Sequence, residues 1–160
     1  MNILFAGEGG QGVQVIAEIL SQAAFLEGKD VLYIPNFGVE QRGGVSLAFV
    51  VIDNKTVVYP KFATADYVVI LSDRSIARLN SLIKPDKTQQ LLGPAISDGT
   101  KTSFPPQAWN ILMLGKLNNL SKVVKTESLL KAIETRFKLQ FLKNPALREL
   151  DLKALNNAQI

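Results

Sequence analysis

The chain has neither cysteine nor histidine among its 160 residues. Disulfides, thiolate nucleophiles, imidazole bases, zinc centres and protein-held Fe–S clusters are therefore excluded together. Its carboxylates are scattered, with no D-x-D-type run to hold a hard cation. No apolar run approaches the ~18 residues of a membrane span. The N-terminal apolar stretch lacks a basic flank and is broken by glycines and Glu8, unlike a signal peptide, so a cytoplasmic location is expected. Internal repeats and low-complexity segments are missing too. With so few routes to self-contained catalysis, the chemistry of any enzyme this chain serves belongs to a partner.

What is there is ordinary for a globular domain: 47% hydrophobic and 20% charged residues, on a length that can bury one core. The net charge of +4 is unevenly spread. Residues 1–110 carry nine basic and ten acidic side chains, whereas residues 111–160 carry nine and four. A basic C-terminal third fits an acidic partner or a phosphate-bearing ligand, or simply a solvated face of lysines such as Lys122, Lys125, Lys131, Lys138 and Lys143. No aromatic interleaving or RNA-binding signature accompanies it, so nucleic acid is not an expected partner.

The hydrophobic pattern predicts an α/β fold: a Rossmann-like three-layer domain with a mostly parallel sheet and a hairpin after the second strand. Residues 2–6 read as a buried strand and 12–27 as a helix closed by Gly28. Residues 31–34 read as a second strand, which completes a βαβ unit with a right-handed crossover. Residues 45–52 and 56–59 form the hairpin around Asp53-Asn54. Residues 67–71 are a strand, and 73–83 a helix capped by Ser72 or Asp73. A weak strand spans 89–96, and 97–107 is loop. Helices cover 109–117 and 128–139, the latter capped by Thr126. Asn144-Pro145 starts a last polar helix whose end frays. Residues 1–145 make the domain, and 146–160 a C-terminal helix or tail.

Two glycine motifs carry the functional signal. Gly7, Gly9 and Gly12 satisfy G-x-G-x-x-G between a strand and a helix. Glycines here bare backbone N–H groups at a helix start, where the dipole also favours an anion. A dinucleotide fold wants a carboxylate at the end of the second strand to hold the ribose. That strand ends Tyr33-Ile34-Pro35-Asn36, which disfavours a small Rossmann reductase. A tight turn with close helix–sheet packing is the plainer reading of the same glycines. The second motif, Asn36 to Gly44, lies at the same sheet edge. Arg42 offers a fork of donors to a phosphate or carboxylate, and Gly43-Gly44 allows a sharp turn. Glu40 can orient Arg42, or the pair can simply pin the loop. Ser46 and Ser72 have no base beside them, so serine chemistry is not expected.

Gly7-Glu8-Gly9-Gly10-Gln11-Gly12, Phe37-Gly38-x-Glu40-x-Arg42-Gly43-Gly44-x-Ser46 and Asn110-Ile-Leu-Met-Leu-Gly115 together resemble the gamma subunit of 2-oxoacid:ferredoxin oxidoreductases. The likeness is close over residues 1–71 and looser over 109–145. It implies a domain of a thiamine diphosphate enzyme that decarboxylates a 2-oxoacid, reduces ferredoxin and yields an acyl-CoA. In that family, thiamine diphosphate sits between the alpha and beta subunits, and the clusters lie in beta- or delta-type subunits. The expected partners are accordingly alpha, beta and delta subunits, with ferredoxin reached through the complex. By position, Gly7, Gly9, Gly10, Gln11, Gly12, Gly38, Glu40, Arg42, Gly43 and Gly44 form the candidate coenzyme A rim or a contact for a partner loop. No catalytic or metal-binding residue is expected on this chain.

Arg42-Gly43-Gly44-Val45-Ser46 followed by Tyr59-Pro60 resembles the 2-oxoglutarate and branched-chain or aryl 2-oxoacid types more than the Arg-Gly-Ala-Pro of pyruvate types, and 2-oxoglutarate is the favoured substrate. The chain departs from the family between Ile83 and Asn110, where it is short and rich in proline. It also places Trp109 where a small residue is common. That ring reads as core or subunit interface, with a stacking platform for adenine as the sharper alternative. Outside the family reading stands a free-standing nucleotide- or anion-binding module.

Overall fold

Residues 2–8 alternate Ile3 and Phe5 toward one side and Leu4 and Ala6 toward the other, all four buried. Only a strand covered on both faces accepts such a run. In the computed structural model, which describes residues 1–37, 44–55, 62–79 and 81–158, this is β1, Asn2–Glu8, the middle strand of five. Its neighbours are β3 (Val45–Asp53) and β4 (Tyr67–Ile70), and the sheet runs β2–β3–β1–β4–β5, with β2 at Asp30–Phe37 and β5 at Gln89–Leu92.

β1 pairs in parallel with β4, and β4 with β5. β3 runs antiparallel to both β1 and β2. Four strands thus point one way, as expected, and β3 is the exception. The βαβ unit needs correction in one respect: β2 is parallel in direction to β1 but not beside it, because β3 is inserted between them. β3 is buried over seven of its nine residues, so an interior position suits it better than β2, whose half-buried or exposed residues fit the edge. Met1 and Ile52 exchange main-chain hydrogen bonds on the β1 side of β3. By alternation Leu32, Ile34 and Asn36 bond to β3, while Val31, Tyr33 and Pro35 turn outward. Pro35 therefore sits where its missing N–H costs no ladder bond.

Helix α1 (Val13–Leu26) packs on the Ile3/Phe5 face with α3 (Trp109–Ser121) and α4 (Thr126–Arg136). Gly28 closes α1 in a Schellman pair of bonds, from its own N–H to Phe25 and from Lys29 to Ala24. The opposite face, with Leu4, Ala6, Val68 and Ile70, is covered by Leu79 and Ile96 from shorter segments. The result is three layers.

Several boundaries differ from expectation. Helix α2 is only Asp73–Ile76, capped by Ser72 Oγ. Beyond it the chain continues in i→i−3 turns, Arg78 to Ser75, Leu79 to Ile76 and Leu82 to Leu79. Pro85 disfavours a helical residue before it, and Leu79 is the fully buried anchor of those turns. β5 stops at Leu92 because Gly93, Ile96 and Gly99 form successive tight turns that bring Thr100 N–H back to the Leu92 carbonyl. The hairpin strand expected at 56–59 lies outside the described residues, although Lys55 N–H closes an Asx turn on Asp53. Thr126 does not cap α4 but is its first residue, after Lys125, which gives no side-chain bond. The long helix expected to reach 139 is two, α4 and α5 (Lys138–Lys143), with Phe137 at the break.

Helix α6 (Pro145–Asn156) is capped by Asn144, whose side chain accepts from Leu147 N–H. It lies against α3 and buries Asp151, Ala154 and Leu155, and Ala158 beyond it is fully buried; the last two residues, where fraying is expected, lie outside the described residues. Gly115 makes this approach feasible: a Cβ there would stand 2.6 Å from Ala158 Cβ and 2.7 Å from the Leu155 carbonyl oxygen.

Candidate functional site

The parallel strands β1 and β4 end side by side, so residues 8–12 and 71–74 share the carboxyl edge of the sheet. Open α/β sheets bind ligands at this edge. The first glycine loop is held there by Gln11. Its Oε1 accepts from Glu8 N–H at 2.8 Å, its Nε2 donates to the Leu71 carbonyl at 3.2 Å, and its own N–H returns to the Glu8 carbonyl. Gly9 N–H donates to the Gly44 carbonyl at 3.1 Å, which brings the end of the second glycine segment against the first. Gly44 is buried; Gly38, Glu40, Arg42 and Gly43 lie outside the described residues.

Three amides of the loop, those of Glu8, Gly9 and Gln11, are thus internally bonded. The rest differ. α1 starts at Gly12, which is left-handed (φ 77°) and gives no side-chain cap. Among the described residues, the amides of Gly10, Gly12, Val13, Gln14 and Val15 have no internal acceptor. These are the orphan donors of a helix N-terminus, and the dipole adds a positive field at the same place.

A cleft of about 260 Å³ opens beside them. It is lined by Gly10 and Gln11, by Leu71 and Pro94, by Pro106 and Gln107 of a short 3-10 turn, and by Trp109 and Asn110 at the start of α3. Trp109 is half-buried and fixed by donation from Nε1 to the Phe104 carbonyl at 2.7 Å. Asn110 uses Oδ1 to accept from Ile111 N–H and lays its amide over Gly12. The walls are therefore aromatic and prolyl, with donors from the glycine loop and polar side chains at Gln107 and Asn110. Such a cleft can hold and orient an anion-bearing ligand.

Two features went unforeseen. Glu8 stands at the rim, and its carboxylate accepts from Ser72 Oγ and, at 3.3 Å, from Arg74 Nη1. The same Ser72 oxygen caps α2 by accepting from Arg74 N–H. This carboxylate is thus held by a hydroxyl and a guanidinium, which limits its repulsion of an anion. The second feature is Gln14, which donates to Ser46 Oγ and the Leu47 carbonyl and accepts from the Tyr33 hydroxyl at 2.6 Å. Burial, and then the charge of Glu18, raise the Tyr33 hydroxyl above its ordinary pKa, so it remains a donor. Among the described residues, no three carboxylates gather as a metal site. No helix among them is long and apolar enough to cross a membrane.

Residues 2–92 match the family model described as pyruvate ferredoxin/flavodoxin oxidoreductase. The gamma subunit common to the pyruvate and ketoisovalerate oxidoreductases of Pyrococcus furiosus is 32% identical over 160 residues, covering 86% of this chain and 86% of that one. The 2-oxoglutarate synthase subunit KorC of Methanocaldococcus jannaschii is 31% identical over 150 residues, 82% of this chain and 80% of that one. In three dimensions the fold superimposes with a TM-score of 0.84 on the 2-oxoglutarate:ferredoxin oxidoreductase of Magnetococcus marinus, described with 2-oxoglutarate, coenzyme A and succinyl-CoA bound. That likeness, at 18% identity, covers 99% of this chain and 30% of the larger one, and it speaks to the fold. The glycine rim and the sheet behind it thus fall within the matched family segment, and the chain belongs to the pyruvate ferredoxin/flavodoxin oxidoreductase family as a gamma-type subunit of a 2-oxoacid:ferredoxin oxidoreductase.

Proposed function

We propose that this subunit docks on thiamine diphosphate-binding catalytic subunits and helps them bind coenzyme A at the glycine rim, in an enzyme that acts on 2-oxoglutarate. The observation that carries the reading is the set of amides at Gly10, Gly12 and the first turn of α1 with no acceptor among the described residues, beside a cleft lined by Trp109, Pro94 and Pro106. Coenzyme A combines phosphates, which suit those amides, with an adenine ring, which suits the cleft. Gly10, Gly12 and Arg42 are the groups assigned to the phosphates; Gly9, whose N–H already donates to the Gly44 carbonyl, joins the two glycine segments instead. Gln11 and Gly7 hold the loop in shape, and Gly38, Glu40, Gly43 and Gly44 are assigned to the same rim. Bound coenzyme A supplies the thiol that accepts the acyl group; this chain's own part is to place it.

The partners in this reading are alpha, beta and delta subunits, which hold thiamine diphosphate and the Fe–S clusters, with ferredoxin as the electron acceptor of the whole. The cytoplasmic location expected from the sequence is retained. The 2-oxoglutarate assignment rests on the Arg42-Gly43-Gly44-Val45-Ser46 sequence followed by Tyr59-Pro60.

Gln107 provides the test, because it is exposed and lines the cleft without holding the fold. In the assembled enzyme, Gln107→Glu sets a negative charge beside the ligand. It should raise the KM for coenzyme A roughly tenfold, about one kcal/mol or slightly more, while leaving the KM for the 2-oxoacid unchanged. Equal KM values for coenzyme A in variant and wild type would refute the assignment.

A further inference from the structure

α4 runs back along α1. At one end Lys125 N–H donates to Glu27 at 2.6 Å, and at the other Arg136 Nε donates to Glu18 at 3.0 Å. α4 thus runs antiparallel to α1 and ends level with Glu18, in the N-terminal half of α1, where the chain passes on into α5. α5 is firmly seated: Phe141 is buried, and its ring lies 5.5 Å from that of Phe137. The opposite side carries Leu139 and Leu142, three residues apart and 70% and 72% exposed. Phe37, 67% exposed, ends β2 at the carboxyl edge of the sheet.

Charge surrounds the two leucines. Between Glu134 and Glu149 there is no acidic residue, while Arg136, Lys138, Lys143 and Arg148 fall in that interval. Arg136 and Arg148 have carboxylate partners in Glu18 and Glu134. Lys138 and Lys143, both exposed, have none among the described residues. An apolar centre ringed by unneutralised cations is the pattern of one half of a protein interface, with an acidic surface as its complement. A second copy of this chain would bring Lys138 and Lys143 against like charges.

Resting on the functional reading above, we propose that α5 is a docking contact by which this subunit binds an acidic, apolar-centred face of its thiamine diphosphate-binding catalytic subunit. Leu139 and Leu142 supply the desolvated centre, and Lys138 and Lys143 supply steering and the polar rim.

The test is binding of the full chain to its purified catalytic subunits by biolayer interferometry. Leu139→Asp with Leu142→Asp should weaken binding at least about tenfold. Lys138→Glu with Lys143→Glu should weaken it several-fold at low salt, a deficit that closes as the salt approaches about 0.5 M. Phe25→Asp, at the far end of α1 and 73% exposed, should bind as wild type does. All four substituted side chains of α5 are exposed, and matching thermal melts verify that the variants fold. The proposal is overturned if both double variants bind like wild type, or if Phe25→Asp is as harmful as the leucine pair. It is also overturned if the leucines instead govern self-association or binding to phosphatidylserine vesicles. Failure of the wild-type chain to bind the catalytic subunits would refute the functional reading itself, a result separable from a complex that forms but ignores α5.

Discussion

Asn110 lies over Gly12 so closely that a Cβ on the glycine would stand 2.2 Å from the asparagine side-chain nitrogen. The first glycine loop and the start of α3, almost a hundred residues apart, thus form one wall. Gly12 is also left-handed, at φ 77°. Gly12→Ala should cost about 2–4 kcal/mol, combining the backbone penalty with overpacking. Urea unfolding measures it; a loss of only about 1 kcal/mol, the backbone penalty alone, would show that Asn110 swings away freely, and an unchanged midpoint would contradict the left-handed conformation of Gly12.

Gly115 bears on the C-terminal helix. Its close approach to Ala158 and the Leu155 carbonyl means that Gly115→Ala must push α6 off α3. A loss of roughly 1–3 kcal/mol is expected, with faster amide exchange confined to residues 145–158. Global loosening without a local effect there would contradict the packing described.

Lys122 ends α3 in the left-handed region, at φ 49° and ψ 31°. A lysine pays for this conformation, whereas glycine adopts it freely. Lys122→Gly should therefore stabilise the protein by about 0.5–1 kcal/mol, read as a rise in melting temperature. A fall would mean that the lysine stem contributes packing that outweighs the backbone gain.

Asp151 is buried within α6, and burial raises its carboxyl from 3.8 to about 6. The folded state therefore holds this proton at pH values where the unfolded chain has released it. Stability falls as pH rises from about 4 through 6, and the full penalty is present at neutral pH. Asp151→Asn should stabilise the protein at pH 7.5 by about 2–3 kcal/mol, and the gain should vanish near pH 4. Denaturant unfolding at the two values decides it; a gain that is the same at both would indicate a packing effect.

Legibility of the sequence followed the range of the interactions. β1, the glycine loop and α1 were readable because apolar spacing and turn residues act within a few positions. The place of β3 between β1 and β2 was not, since strand order in space is set by burial across the whole sheet. α2 illustrates a local signal overridden: Ser72 caps it as expected, but the apolar residues after Ile76 are satisfied by turns. At the site, the edge and the meeting of the two glycine segments were foreseeable from topology. Glu8 with Ser72 and Arg74, and Gln11 with Leu71, were not, because their partners lie 60 residues or more away. The burial of Asp151 was hidden for the same reason, as α6 reads as polar until α3 is placed beneath it.

Hydrogen exchange on the assembled enzyme, with and without coenzyme A, tests the glycine rim most directly. If the cofactor's phosphates bind there, amides of residues 10–15 should exchange markedly more slowly once it is added. Unchanged exchange across 10–15, with protection appearing only in the catalytic subunits, would contradict the assignment.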